Sequence, residues 1–137
     1  MADYLYGKGR QGFLDADIDW ASDNIRCVLV DGADYAPVQD THDFLDDVPS
    51  GARATNGTSG NFSGKTSTLG VADADDVTLT AVSGDQSEYL VLYKHTGTEG
   101  TSNLIAKIDS YTGLPVTPNG GNITIAWPSD ASKVFRL

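Results

Sequence analysis

Apolar residues gather along the chain in short runs separated by Gly, Ser, Thr, Asn and Asp, a spacing that predicts strands and turns rather than long helices. The firmest run is Ile25-Arg26-Cys27-Val28-Leu29-Val30, rich in β-branched residues and ended by Asp31-Gly32, which predicts a buried strand. Further strands are predicted over 77–82, 88–94, 104–108, 123–127 and 134–137. Their turns are Ser83-Gly84-Asp85, Thr96-Gly97-Thr98, Asn119-Gly120-Gly121 and Pro128-Ser129-Asp130. Tyr89, Val91 and Tyr93 share one parity, the mark of a strand face packed against another layer.

The remaining stretches are less regular. Residues 13–20 allow a short helix or strand that turns Phe13, Leu14, Ile18 and Trp20 to the core and its aspartates to water. Residues 40–48 start with N-cap types and stop before Pro49, consistent with one or two helical turns. The Gly/Ser/Thr/Asn-rich stretch 49–70 reads as a loop followed by a weak edge strand at 60–68. Residues 1–12, with Gly7, Gly9 and Gly12 around Lys8 and Arg10, read as a flexible N-terminal arm that Tyr4 and Tyr6 can dock onto a neighbour. The expected fold is therefore all-β: an arm at 1–12, then one domain at 13–137 built as an antiparallel β-sandwich or jelly-roll-like barrel with one or two short helical turns.

A chain of 137 residues suits one such domain. Nine basic against nineteen acidic residues give a net charge of −10, and no stretch concentrates the cations, so nucleic acid is not an expected partner. The same charge opposes packing copies together unless contacts bury apolar surface or meet cations. The single cysteine, Cys27, lies in the most apolar run and reads as a small buried hydrophobe. With no signal-like or membrane-spanning segment in the pattern, synthesis in a reducing cytoplasm and no membrane association are expected.

Candidate chemistry is sparse. His42 and His95 fall in no recognisable catalytic motif. The acidic runs 15–19 and 73–76 are either water-facing turns, the expected reading, or weak sites for a hard cation such as calcium. Gly64-Lys65-Thr66 has the ending of a phosphate-binding loop, but position 59, where that pattern needs Gly, is Ser. The Asn-x-Ser/Thr triplets at Asn56, Asn61 and Asn122 read as turn and strand chemistry. Tyr89, Tyr93, Tyr111, Trp20 and Trp127 are expected in the core or an interface, with a sugar-binding platform as the rival. No catalytic residue, cofactor or metal site is expected.

Several motifs occur in a fixed order: Gly12-Phe13-Leu14, Ile18-Asp19-Trp20, His42-Asp43-Phe44-Leu45, Pro49-Ser50-Gly51-Ala52-Arg53, Gly64-Lys65-Thr66, Thr112-Gly113-Leu114-Pro115, Pro118-Asn119-Gly120-Gly121 and Lys133-Val134-Phe135-Arg136-Leu137. Together they resemble a family of small tailed-phage virion structural proteins of the head decoration or minor capsid type. The resemblance implies a particle component and carries no catalytic residue. The expected function is a capsid decoration (cement) protein that binds the major capsid protein as a homo-oligomer, a trimer. It would sit on the capsid surface of the virion after assembly in the host bacterial cytoplasm. A head-fibre base or a tail or neck protein is the structural alternative, and a carbohydrate-binding adsorption module the alternative of another class. Tyr4, Tyr6, Lys8 and Arg10 are the expected interface residues, because aromatics and Arg are enriched where proteins meet.

Overall fold

The computed structural model describes residues 3–111, 113–127 and 133–137. Among the described residues the chain is mostly β, with one short α-helix. Its centre is a five-stranded antiparallel sheet in the order β1-β7-β6-β2-β3, made by β1 (Tyr4–Leu5), β2 (Ile25–Val30), β3 (Arg53–Thr58), β6 (Tyr89–Lys94) and β7 (Leu104–Ile108). Two smaller antiparallel pairs accompany it: β4 (Val71–Ala72) with β9 (Phe135–Arg136), and β5 (Val77–Leu79) with β8 (Ile123–Ile125). Among the described residues no helix is long and apolar enough to cross a membrane.

The central strands are apolar throughout because both faces of the sheet are covered. In β2 and β6, Cys27, Leu29, Leu90 and Leu92 point into one core with Leu79, Ile125, Phe62 and Trp127. The alternate residues Val28, Val30, Val91 and Tyr93 point into a second core with Tyr35, Leu45, Val48 and Ala52. The parity expected for Tyr89, Val91 and Tyr93 holds: Tyr93 is part of this second core and Tyr89 packs against it. Arg53 fixes the layer over that face. Its guanidinium pairs with both Glu99 carboxylate oxygens at 2.8 and 2.9 Å, and also donates to the carbonyls of Leu45 and Val48.

Several expectations need correction. The N-terminal segment is no flexible arm: Tyr4–Leu5 forms β1 on the edge of the main sheet, and Gly7–Leu14 forms the helix α1, packed on β7. The glycines that argued against order are what permit it. A Cβ at Gly9 would lie 2.7 Å from the Ile105 carbonyl oxygen, and one at Gly12 would lie 2.6 Å from Ile18 Cδ1. Only a helix bare at Gly9 can approach the β7 backbone this closely, and Gly12 leaves room for the Ile18 side chain. Phe13, Ile18 and Trp20 join the core as expected, but Leu14 is 87% exposed, because α1 ends there and turns it outward.

The edge strand lies earlier than 60–68. It is β3, pairing with β2 through Val28–Thr58 and Val30–Arg53. The stretch 60–68 contributes only an isolated bridge from Thr66 to Asp73. Two short 3₁₀ turns, Leu45–Asp47 and Ser50–Ala52, stand where one or two helical turns were expected or just beyond. The expected turn at 128–130 lies outside the described residues.

Candidate functional site

A groove of about 440 Å³ near the N-terminus is lined by residues of β1, α1, β7 and β9. β1 and β9 are both edge strands, each paired on one side only. Leu5, Ala106, Ile108, Val134 and Phe135 supply apolar walls, while Arg10 and Arg136 supply exposed cations. Arg10 pairs with Asp40 at 3.1 Å, and both side chains are largely in water.

One wall is unusually well built. Lys107 on β7 stands directly across from Tyr4 on β1. Its ammonium lies 4.9 Å from the ring centroids of both Tyr4 and Tyr89 and 3.1 Å from Asp109 Oδ2. Two aromatic faces and a carboxylate thus replace most of the water around a lysine that is nearly buried. Burial, with the nearby Tyr35, Tyr89 and Asp109 charges adding to it, pushes the Tyr4 hydroxyl up to about 12. That hydroxyl oxygen is buried and has no hydrogen-bond partner.

Asp3 latches the start of β1 to the end of β7. Its carboxylate accepts the amides of Asp109 and Ser110, at 2.7 and 3.0 Å, and the Ser110 hydroxyl. Burial raises the Asp3 carboxyl, but the Ser110 hydroxyl and the two amides together outweigh it and hold the group below its ordinary value. From the other side, Gln39 Nε2 donates to the Leu5 carbonyl and the Gly7 amide donates to the Gln39 carbonyl.

The four residues expected at an interface therefore have three different fates. Tyr6 is fully buried; its hydroxyl shares a hydrogen bond with the Tyr35 hydroxyl at 2.9 Å, and Tyr35 in turn bonds His42 Nδ1 at 3.0 Å. It is an internal anchor and offers nothing to a partner, a correction that follows from its place in the second core. Lys8 lies over the Phe44 ring at 5.4 Å. Tyr4 and Arg10 line the groove. Phe135 and Arg136, which also line the groove, stand in the sequence only as part of the 134–137 strand and of the Lys133–Leu137 motif, not as interface residues. Only their position in a terminal strand signalled them.

Most other polar candidates are occupied by folding. The acidic runs make turn and capping bonds: Asp19 Oδ1 accepts the Ala21 and Ser22 amides, Asp75 takes the Ser63 hydroxyl, and Asp76 takes the Trp127 amide. Lys65 donates to the Asp23 carbonyl. Asn56, Asn61 and Asn122 bond Ala81 O, Arg26 Nε and Ala81 N, in line with the turn and strand reading. The aromatic platform is turned inward: Trp20 Nε1 donates to Thr66 O, Trp127 Nε1 to Asp75 O, and the Tyr111 hydroxyl accepts the Ala126 amide. A different carboxylate set gathers at the surface, where Asp31, Asp34 and Asp85 bring oxygens within 4.8 Å of one another.

Cys27 is wholly buried, and burial pushes its thiol up to about 12 even though Ser59 acts in the other direction. Such a thiol is no nucleophile at neutral pH. A scan against protein-family models finds none that matches the chain, and a search of curated proteins finds no relative, so the functional reading rests on the residues and the fold.

Proposed function

We propose that the chain is a non-enzymatic structural subunit of a tailed-phage particle, a decoration protein that binds and stabilises the lattice of major capsid proteins. It acts as a trimer on the capsid surface. In this reading the architecture is a β-sandwich, with the β4–β9 and β5–β8 pairs forming the second layer over the Cys27/Leu29/Leu90/Leu92 face of the main sheet.

The observation that carries the reading is the groove between the two edge strands. Its walls combine aliphatic and aromatic side chains with two arginines, the chemistry of adhesion, while the Asp3 carboxylate and the Gln39 amide that also line it are engaged in holding the chain together. The ordered motifs that resemble virion proteins point the same way. Weak contacts of this kind become strong when several copies engage adjoining shell subunits at once.

The test is direct addition of the purified protein to particles that lack it. Saturable binding in fixed ratio to the major capsid protein, with a raised temperature of DNA release, is expected. Particles that neither retain the protein nor gain heat resistance contradict the reading.

A further inference from the structure

We propose that the groove along β1 and β9 is the contact through which one copy of this chain holds the next, Arg10 and Arg136 of one copy meeting the carboxylate-rich surface of its neighbour. The inference deepens the structural reading and rests on it, because it identifies how the subunits pair.

The argument is one of unspent charge. Of the nine cations in the chain, Arg136 is the one whose side chain no hydrogen bond, ion pair or ring contact engages among the described residues, and it is exposed. Arg10 has only Asp40, in a pair whose side chains are 52% and 74% exposed, so water screens it and little is lost by exchanging partners. Both arginines line the same groove. In a chain of net charge −10, the most available positive charge is thus concentrated at one concave place.

A second copy supplies what that place lacks. Its surface carries the surplus carboxylates, and at their densest Asp31, Asp34 and Asp85 crowd together with no cation of their own chain paired to them among the described residues. Planar guanidinium groups fit carboxylates in two-pronged pairs. Contact between these surfaces removes the like-charge repulsion that otherwise keeps copies of so acidic a chain apart. Phe135 in the groove and the exposed Leu137, next to Arg136 in sequence, add apolar area to bury. Because the two surfaces differ, the contact is head to tail, and such contacts build a ring where the rotation between copies closes.

The experiment measures the mass of the full chain by sedimentation across protein and salt concentration. The wild type is expected to associate at low salt and dissociate as salt rises. Arg136→Glu is expected to weaken association about tenfold or more. A chain carrying Arg136→Glu with Asp34→Arg and Asp85→Arg is expected to regain it. Should the reversal perturb folding, Arg136→Gln serves in its place with a smaller loss.

A monomeric wild type, an unchanged mass for Arg136→Glu, or a swapped chain no better than Arg136→Glu alone overturns the proposal. Particle binding is scored separately. If Arg136→Glu abolishes binding to particles yet leaves self-association intact, the groove faces the shell and the proposal fails while the particle reading stands. If self-association responds as expected but no copy binds particles, the groove assignment stands and the particle reading falls.

Discussion

Tyr4 lies directly across the β1–β7 ladder from Lys107, and its ring receives the lysine ammonium at 4.9 Å while its own hydroxyl is buried without a partner. The ring is therefore useful and the hydroxyl is a cost. Tyr4→Phe is expected to leave stability unchanged or raise it by about 1 kcal/mol, since removing a buried unsatisfied group removes its desolvation penalty. Tyr4→Ala strips the ring from Lys107 and from the Tyr6 edge contact, and is expected to cost about 3 kcal/mol. Urea unfolding of the two variants checks the pair; a loss from Tyr4→Phe as large as that from Tyr4→Ala contradicts it.

Gly9 tests why the N-terminal segment is ordered. On helix propensity alone, Gly9→Ala gains about 1 kcal/mol. The added methyl would lie 2.7 Å from the Ile105 carbonyl oxygen and 2.9 Å from its Cα, backbone atoms that cannot turn aside. Net destabilisation by about 2 kcal/mol is expected, with faster amide exchange across α1 and β1. A stabilised variant would mean that α1 does not sit against β7.

Leu69 is the opposite case. It is 97% exposed and holds a left-handed backbone with φ at 53°, so its side chain buries nothing while its Cβ strains the turn. Leu69→Gly is expected to raise stability by about 0.5 to 1 kcal/mol, seen as a higher unfolding midpoint. A lower midpoint contradicts the expectation.

Acid weakens the Asp3 latch. Its folded carboxyl titrates below the ordinary 3.8, so its stabilising contribution is fully present above that value and is lost as pH falls through the lower folded value. Asp3→Asn removes this dependence. Exchange at the Asp109 and Ser110 amides, which Asp3 accepts, is expected to show the loss in the wild type and to be fast at all pH in the variant. Equal protection of the two amides in wild type and variant contradicts the latch.

Cys27 provides a reporter of global opening. Buried, with its thiol pushed up to about 12, it is expected to resist a thiol reagent in the native state and to react at the rate of unfolding. Rapid stoichiometric labelling of native protein would contradict its place in the core.

The parts of the fold legible in the sequence are those where burial on both sides forces unbroken apolar runs, as in Ile25–Val30 and Tyr89–Lys94. What escaped was structure held by other means. β3 is a polar edge strand whose pairing depends on β2, so its own residues carry no apolar period. α1 hides behind glycines whose purpose is visible only once Ile105 and Ile18 are beside them. The sequence draws attention to the tyrosines and cations of the N-terminal segment, but burial separates Tyr6 from Tyr4 and Arg10, and no local pattern tells an inward tyrosine from a groove-lining one. The groove also needs Phe135 and Arg136 from the far end of the chain, a proximity that only folding creates.

The most direct measurement of the particle role is the number of copies of this chain per mature virion, by quantitative mass spectrometry against the major capsid protein. A decoration protein is expected at a copy number of the same order as the capsid protein itself. Absence from purified virions contradicts the account, and a handful of copies per particle contradicts decoration in favour of a neck, tail or fibre position.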